Sequence, residues 1–385
     1  MKPLKIAYLC DIDPVHVNPY SGGNHRIHGA LAARADVTVL PQSWSWAEPL
    51  RRAIYKLPDA AQLRIRWRTR LLAGRALAGR TNQMLRDGGF DVVFGAYSVQ
   101  SMAGVRPPPG ALKVFTSDAT PTTYRNSDVG AVYGSSRLTR LLIDPLTFRA
   151  ESRVYSAADL LLWPSHWLKN AADATYGLPP GKAHVLAWGA NVPDPGKSAP
   201  PPPPGKGTPL NLLIIARDWH AKGGPIAFDT MKALRARGID ARLTVIGCKP
   251  PAYHMNEFVT LTGALDKGKP ADAARFDATL RAAHVLIQPS VESYGFAFCE
   301  AAAHGLPSVC FDLGGVPVRD GVTGRKLPKG SSPEDFADAL MPWLDAPTRY
   351  HALCHAARLD YETRLNWDAW ADAAMELIRE KLANR

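Results

Sequence analysis

The sequence predicts an α/β protein made of two Rossmann-like units, each a parallel β-sheet covered by helices on both faces. Three observations predict it. Short apolar runs of strand length alternate with helical patterns along the whole chain. Five consecutive prolines, Pro200 to Pro204, interrupt that rhythm near the middle. The 385 residues also exceed one ordinary domain at roughly 150 residues each.

The first unit is expected over residues 1–192, with strands at 5–10, 36–40, 91–95, 112–116, 159–163 and 183–187. Its opening run up to Cys10 looks superficially like a signal peptide. The apolar core is too short, however, and Asp11 and Asp13 stand where a small-residue cleavage site belongs, so it reads as a buried strand. Residues 193–209, rich in proline and glycine, read as a stiff spacer. The second unit, 210–365, should carry strands at 210–216, 242–247, 258–262, 284–288 and 307–312, with helices at 224–237, 270–283 and 295–305. A final helix over 366–385 presents Trp367, Trp370, Met375, Leu377 and Ile378. Open parallel sheets bind ligands beyond the carboxyl ends of their strands, so a cleft between the units is the expected site.

Composition excludes several classes. Hydrophobic residues make up 46% and charged residues 21% of the chain, which is ordinary for a globular protein. No apolar run approaches the ~18 residues of a membrane-spanning helix. The five cysteines, Cys10, Cys248, Cys299, Cys310 and Cys354, are scattered without a CxxC pair, giving no zinc or disulfide framework and pointing to a reducing cytoplasm. The net charge of +11 is concentrated at the front: residues 1–192 hold 23 Lys and Arg against 13 Asp and Glu, and the remainder 23 against 22. Within 51–80, nine basic residues, among them Arg64, Arg66, Arg68 and Arg70, face a single acid, Asp59. Leu63, Trp67, Leu71, Gly74 and Ala78 recur there at helical spacing. Two readings stand: an amphipathic helix lying on an anionic membrane surface, or a solvated arginine face over a core stripe. No nucleic-acid-binding signature accompanies the charge, so nucleic acid is not an expected partner.

The most informative stretch is QPSVESYGFAFCEAAAHGLPSVCFDLGGVPVRDGVTG, residues 288–324. A strand ends near Gln288, a loop carries Glu292, and Gly295 opens a helix containing Glu300. Free N–H groups at that helix start suit a diphosphate. If most of the intervening span is helical, the two carboxylates lie roughly 8–12 Å apart, wide for a glycosidase pair. That spacing fits two carboxylates gripping hydroxyls at opposite ends of one elongated ligand. The bland alternative is a surface Glu and a Glu favoured by the helix dipole.

Glu292 and Glu300, followed by Glu300-Ala301-Ala302-Ala303-His304-Gly305-Leu306-Pro307 and Gly314-Gly315-Val316-Pro317, resemble the family 4 retaining glycosyltransferases of GT-B fold, whose hallmark is Glu, seven residues, Glu. The resemblance covers most of residues 207–330 and, more loosely, the first half. It implies that Glu292 binds the transferred sugar and Glu300 the nucleotide ribose, with the backbone of Tyr294, Gly295 and Phe296 along the sugar and diphosphate. A second match, Arg217, four residues, Lys222-Gly223, resembles the segment whose Arg and Lys hold the donor diphosphate; Ala216 replaces the usual Gly. Without a metal, two cations would neutralise the charge that develops on the leaving diphosphate.

Gly22 and Gly23 resemble the family's Gly-Gly loop, which approaches the donor. Asp118 stands where relatives carry His-Asp, with Ser117 replacing the His; it is a candidate for the acceptor hydroxyl or the sugar, and a helix N-cap equally. His25 and His28 are candidate acceptor contacts. Val318 stands where relatives often carry Glu, and its loop is about two residues short. The last helix of the family packs back across the domain junction. Asp11-Ile12-Asp13 lies in the first unit, away from the expected nucleotide, which disfavours a metal-dependent GT-A transferase.

The implied activity is a retaining, metal-independent transfer from a UDP- or GDP-sugar to an acceptor hydroxyl, with no cofactor beyond the nucleotide-sugar co-substrate. The basic first half points to a glycolipid, a lipid-linked oligosaccharide or a cell-surface polysaccharide precursor, and to a cytoplasmic protein peripheral to the membrane. The alternatives are another GT-B enzyme, a sugar-nucleotide epimerase or a phosphorylase, and a non-catalytic nucleotide-sugar-binding protein.

Overall fold

In the computed structural model, residues 3–41, 49, 53, 56, 74, 78–128, 130, 144–196, 201–203 and 208–385 are described. The basic segment 51–80, on which the membrane expectation rests, lies outside them apart from positions 53, 56, 74 and 78–80. The chain divides into two compact units, Met1–Ala187 with Trp370–Arg385, and Trp188–Ala369. Within the predicted spacer, the carbonyls of Pro195 and Pro202 accept hydrogen bonds from Arg281 and His284 of the second unit.

The first unit is a six-stranded sheet of β1 (Lys5–Leu9), β2 (Asp36–Val39), β3 (Val92–Ala96), β4 (Leu112–Thr116), β5 (Leu160–Trp163) and β6 (Ala183–Val185), in the order β2-β1-β3-β4-β5-β6. All its pairings are parallel. β3, β4 and β5 (VVFGA, LKVFT, LLLW) are buried at every position, as strands covered on both faces must be. Phe115, Tyr155 and Trp163 pack edge-to-face or tilted in its core, with ring centroids 5.7–6.1 Å apart. The helix Trp367–Ala383 begins in the second unit and continues into the first, where Trp370 packs edge-on against Phe94 and Asp372 pairs with Arg34 at 2.6 Å.

The second unit holds β7 (Leu210–Ala216), β8 (Ala241–Gly247), β9 (Val259–Gly263), β10 (Val285–Gln288), β11 (Ser308–Phe311) and β12 (Gly324–Leu327), ordered β12-β11-β10-β7-β8-β9 and again parallel throughout. Eleven of the twelve strands among the described residues lie where their apolar runs predict them; β12 (GRKL), an edge strand without such a run, does not announce itself. Among the helices, Gly224–Ala236, Pro270–Ala282 and Phe296–Ala303 follow their predicted ranges closely. Their neighbour Pro333–Leu344 starts on a capping box in which Ser332 and Asp335 satisfy each other's backbone N–H groups. The architecture is two parallel α/β sheets, as expected.

Candidate functional site

In the second sheet the strand order runs outward in opposite directions from the β7/β10 pair. Chain connections therefore leave that point on opposite faces, opening a crevice beyond the carboxyl ends of these two strands. The loop leaving β7 carries Arg217 and Lys222, and the loop leaving β10 carries Glu292. The fold itself thus brings the two motifs together across 70 residues of sequence.

The β7 exit loop is wound tightly. Asp218 accepts from the Ala221 N–H through its carboxylate (2.7 Å) and from the Lys222 N–H through its carbonyl (3.1 Å). Trp219 is buried beneath the turn, and its indole N–H donates to His254 Nδ1 at 2.9 Å. Gly223 adopts φ 75°, and a Cβ there would stand 2.0 Å from the Pro289 carbonyl oxygen. Only glycine lets the two exit loops lie this close.

Lys222 Nζ contacts Glu292 Oε1 at 2.5 Å, and the Ser290 hydroxyl donates to the same oxygen at 2.7 Å. The Gly315 N–H holds the Glu292 backbone carbonyl at 3.2 Å, so the Gly314-Gly315 turn fixes the height of that carboxylate. Arg217 is exposed and has no ion-pair partner among the described residues. Lys222 and Glu292 thus stand beside the start of the helix Phe296–Ala303, and Arg217 leaves β7 on the same exit loop as Lys222.

That helix begins at Gly295 with φ 93°, where a Cβ would meet the Phe298 ring at 2.7 Å. Tyr294 turns inward: its hydroxyl donates to the Trp188 carbonyl at 2.7 Å, and Trp188 stacks on Phe296 with their planes 6° apart. The Tyr294 side chain is therefore committed to the core, and its backbone, with that of Gly295 and Phe296, presents unpaired N–H groups as helix starts do. Burial pushes the neighbouring Cys299 thiol up to about 12, leaving it inert. One turn into the helix, Glu300 is nearly fully buried, with 4% of its side chain exposed, and Lys267 is its ion partner.

The first sheet has its own reversal point, between β1 and β3. The residues predicted for the first unit lie on the segments that follow its strands, with several that the sequence does not mark. Gly22 (φ 90°) caps the helix Gly23–Ala32, which carries His25 and His28. His25 Nδ1 bonds the Pro14 carbonyl at 2.9 Å, and His28 packs edge-on against Tyr8. Burial, reinforced by His25, pulls the His28 pKa below its usual value. Tyr20 and Ser21 after β1, and Tyr97 after β3, are the only non-glycine residues with positive φ among the described residues. Their concentration at one strand-end crevice is the signature of backbone strain held at a site. Tyr20 stacks on Tyr97 at 4.3 Å and donates to Asp11 Oδ1 at 2.7 Å; Gln100 donates to the other Asp11 oxygen. The Tyr97 phenol is pushed well up, first by burial and then by the Asp118 charge.

The structure therefore gathers Arg217, Lys222, Glu292, Tyr294, Gly295, Phe296 and Glu300 in the second unit, and Gly22, Gly23, His25, His28 and Asp118 in the first. Lys267, Ser290, Tyr20 and Tyr97 join them without a sequence signal; Tyr20 and Tyr97 hold positive φ, which tyrosine does not favour. Asp13 caps the Val15 N–H in a local turn, while Asp11 accepts from Tyr20 and from Gln100 across the crevice. Among the described residues, no helix is long and apolar enough to cross a membrane.

Residues 24–192 match the family model "Glycosyltransferase Family 4" and residues 209–345 the model "Glycosyl transferases group 1". Two of the similar curated proteins are D-inositol 3-phosphate glycosyltransferases. The one from Corynebacterium glutamicum is 30% identical over 46% of each chain. The one from Catenulispora acidiphila is 28% identical over 60% of this chain and 58% of its own. The chain spans about half the length of the curated relatives it matches. The same fold occurs in WaaG, a glycosyltransferase of lipopolysaccharide biosynthesis (TM-score 0.63, 15% identity, 97% and 99% of the two chains), and in Anabaena Alr3699/HepE in complex with UDP (TM-score 0.63, 14% identity, 99% and 100%).

Proposed function

From the premise that the chain belongs to the family 4 glycosyltransferases of GT-B fold, we propose that it transfers a sugar, with retention, from a nucleoside diphosphate sugar to an acceptor hydroxyl. The observation that carries this reading is the convergence of Arg217, Lys222, Glu292 and the open start of the helix Phe296–Ala303 at the β7/β10 reversal point. In this reading Arg217, Lys222 and the helix N–H groups take the diphosphate, whose two phosphates need that much positive potential. Glu292 takes hydroxyls of the sugar and Glu300 those of the ribose. The acceptor oxygen bonds to the anomeric carbon on the face from which the nucleotide departs; the bond from that carbon to the phosphate oxygen breaks, and the acceptor proton passes to the released phosphate. No protein nucleophile and no metal is assigned a step.

Asp118, with His25 and His28 nearby, is read as the acceptor side, since a carboxylate suits a hydroxyl donor. Curated relatives carry the name of a phosphorylated polyol and WaaG that of lipopolysaccharide synthesis. With the basic 51–80 segment, this supports an acceptor that bears negative charge, free or lipid-linked. Vesicle flotation separates the two: neutralising Arg64, Arg66, Arg68 and Arg70 abolishes binding to anionic vesicles if the acceptor is met on a membrane, and unchanged binding removes those residues from the reading.

The first experiment is a thermal-shift screen with UDP, GDP, ADP and their sugar conjugates without added metal. A ligand at 100 times its Kd adds about 2.7 kcal/mol. A shift with one nucleotide identifies the donor base; no shift with any of them overturns the donor-site assignment.

A further inference from the structure

We propose that Lys267 is a positioning residue for the donor ribose, forming with Glu300 an ammonium–carboxylate clamp that requires a 2′-hydroxyl; the proposal rests on the donor-site reading above. Glu300 sits on the buried side of its helix with 4% of its side chain exposed, and its charge partner among the described residues is Lys267. A carboxylate so enclosed needs a counter-charge to stay ionised and correctly aimed.

The backbone around Lys267 is preset for this. β9 ends at Gly263 in the left-handed region (φ 76°). The Asp266 N–H then donates to Asp272, the Gly268 N–H to the Asp266 carboxylate at 3.0 Å, and the Lys269 N–H to the Asp266 carbonyl at 2.8 Å. This closed turn holds Lys267 in place, with its ammonium 5.3 Å from the Phe276 ring centre. A third of the Lys267 side chain is exposed while Glu300 is covered, so the pair has one open side. That asymmetry is what a half-built binding site requires and a core ion pair lacks.

An ammonium has three donors and a carboxylate two acceptor oxygens. The Lys267–Glu300 contact uses one of each. What remains is two donors beside an acceptor oxygen, the complement of a vicinal diol whose hydroxyls each give or take a hydrogen bond. A deoxyribose supplies one of those hydroxyls and leaves part of the charged pair desolvated without a partner, the penalty by which polar sites reject analogues that lack a hydroxyl.

The test is calorimetric binding of UDP, GDP and ADP and of their 2′-deoxy counterparts to the full chain as wild type, Lys267→Met, Lys267→Arg and Glu300→Gln. Wild type should prefer the ribonucleotide at least about tenfold. Lys267→Met should bring that preference below about threefold while the chain still melts cooperatively at a lowered temperature, since Glu300 loses its counter-charge, and Lys267→Arg should recover part of both. Full ribose preference in Lys267→Met, with Glu300→Gln impaired, overturns the clamp and leaves the donor site standing. Binding by none of the three nucleotides, or an unaffected Glu300→Gln, overturns the donor-site reading itself.

Discussion

Lys222 and Glu292 face each other across the reversal point of the second sheet, Nζ to Oε1 at 2.5 Å. In the proposed reaction they have different partners, the diphosphate for the lysine and the sugar for the glutamate. In the structure each satisfies the other, and Ser290 holds the carboxylate in place through the exchange. Donor binding is then a swap of partners between preformed groups, which limits the reorganisation needed when charge develops.

Lys222→Ala and Glu292→Gln should therefore each lower turnover by about 10²-fold or more, the range for removing one preorganised electrostatic contact. Stability should change little, since a partly exposed ion pair contributes about 0–1 kcal/mol. Steady-state kinetics beside thermal melts check this. Normal turnover in both variants overturns the assignment.

The legible parts of the molecule were those with a local signal. Runs such as Leu212-Leu213-Ile214-Ile215 and Val285-Leu286-Ile287 mark strands buried on both faces because parallel sheets leave them no polar side. β12 escapes because its two central residues, Arg325 and Lys326, are charged and only half-buried at a sheet edge. The Glu292/Glu300 motif is legible because one short loop and helix carry it. Lys267 is not, since its partner stands 33 residues away and no spacing rule links a turn after β9 to a helix after β10. Tyr20, Ser21 and Tyr97 were hidden for another reason: their positive φ values are imposed by tertiary packing against propensity.

Gly223→Ala should damage the site through the backbone. The added Cβ would press on the Pro289 carbonyl and hold alanine at φ 75°, at a cost of about 1–3 kcal/mol. Relief requires the β7 and β10 exit loops to part, moving Lys222 away from Glu292. Gly238→Ala is the control: its φ is 83° but nothing lies within 4 Å of the new Cβ, so it carries the conformational cost alone. Donor affinity should fall in Gly223→Ala and stay unchanged in Gly238→Ala.

His284 should make stability fall in mild acid. Its Nδ1 accepts the Asn211 N–H at 3.0 Å, so the ring proton lies on Nε2 and donates to the Pro202 carbonyl at 3.0 Å. Burial lowers its pKa below the usual value near 6.5. The unfolded chain thus takes up a proton that the folded chain refuses. The contribution is complete above pH 6.5 and is lost as pH falls below it, by at most about 1.4 kcal/mol per pH unit. His284→Leu should be less stable than wild type at pH 8, because the Asn211 N–H loses its acceptor, yet show a flatter profile between pH 7 and 5. Denaturant midpoints at the three pH values measure both effects.

Glu151 has the opposite sign. It is fully buried, accepting the Thr122 N–H at 3.2 Å and the Thr122 hydroxyl, and burial raises its pKa to about 7 from an ordinary 4.5. Below pH 4.5 it is protonated in both states and costs nothing. Between 4.5 and 7 the unfolded chain ionises first, so its contribution to stability is lost as pH rises, by an amount on the order of 2–3 kcal/mol once both states are charged. Glu151→Gln keeps the shape and can still accept from the Thr122 N–H, with the Thr122 hydroxyl turning to accept from the new amide. The variant should therefore match wild type near pH 4 and exceed it at pH 8. A variant that is less stable than wild type at pH 8 would show instead that the ionised carboxylate holds Thr122, and with it the turn that follows Asp118, more firmly than its burial opposes it.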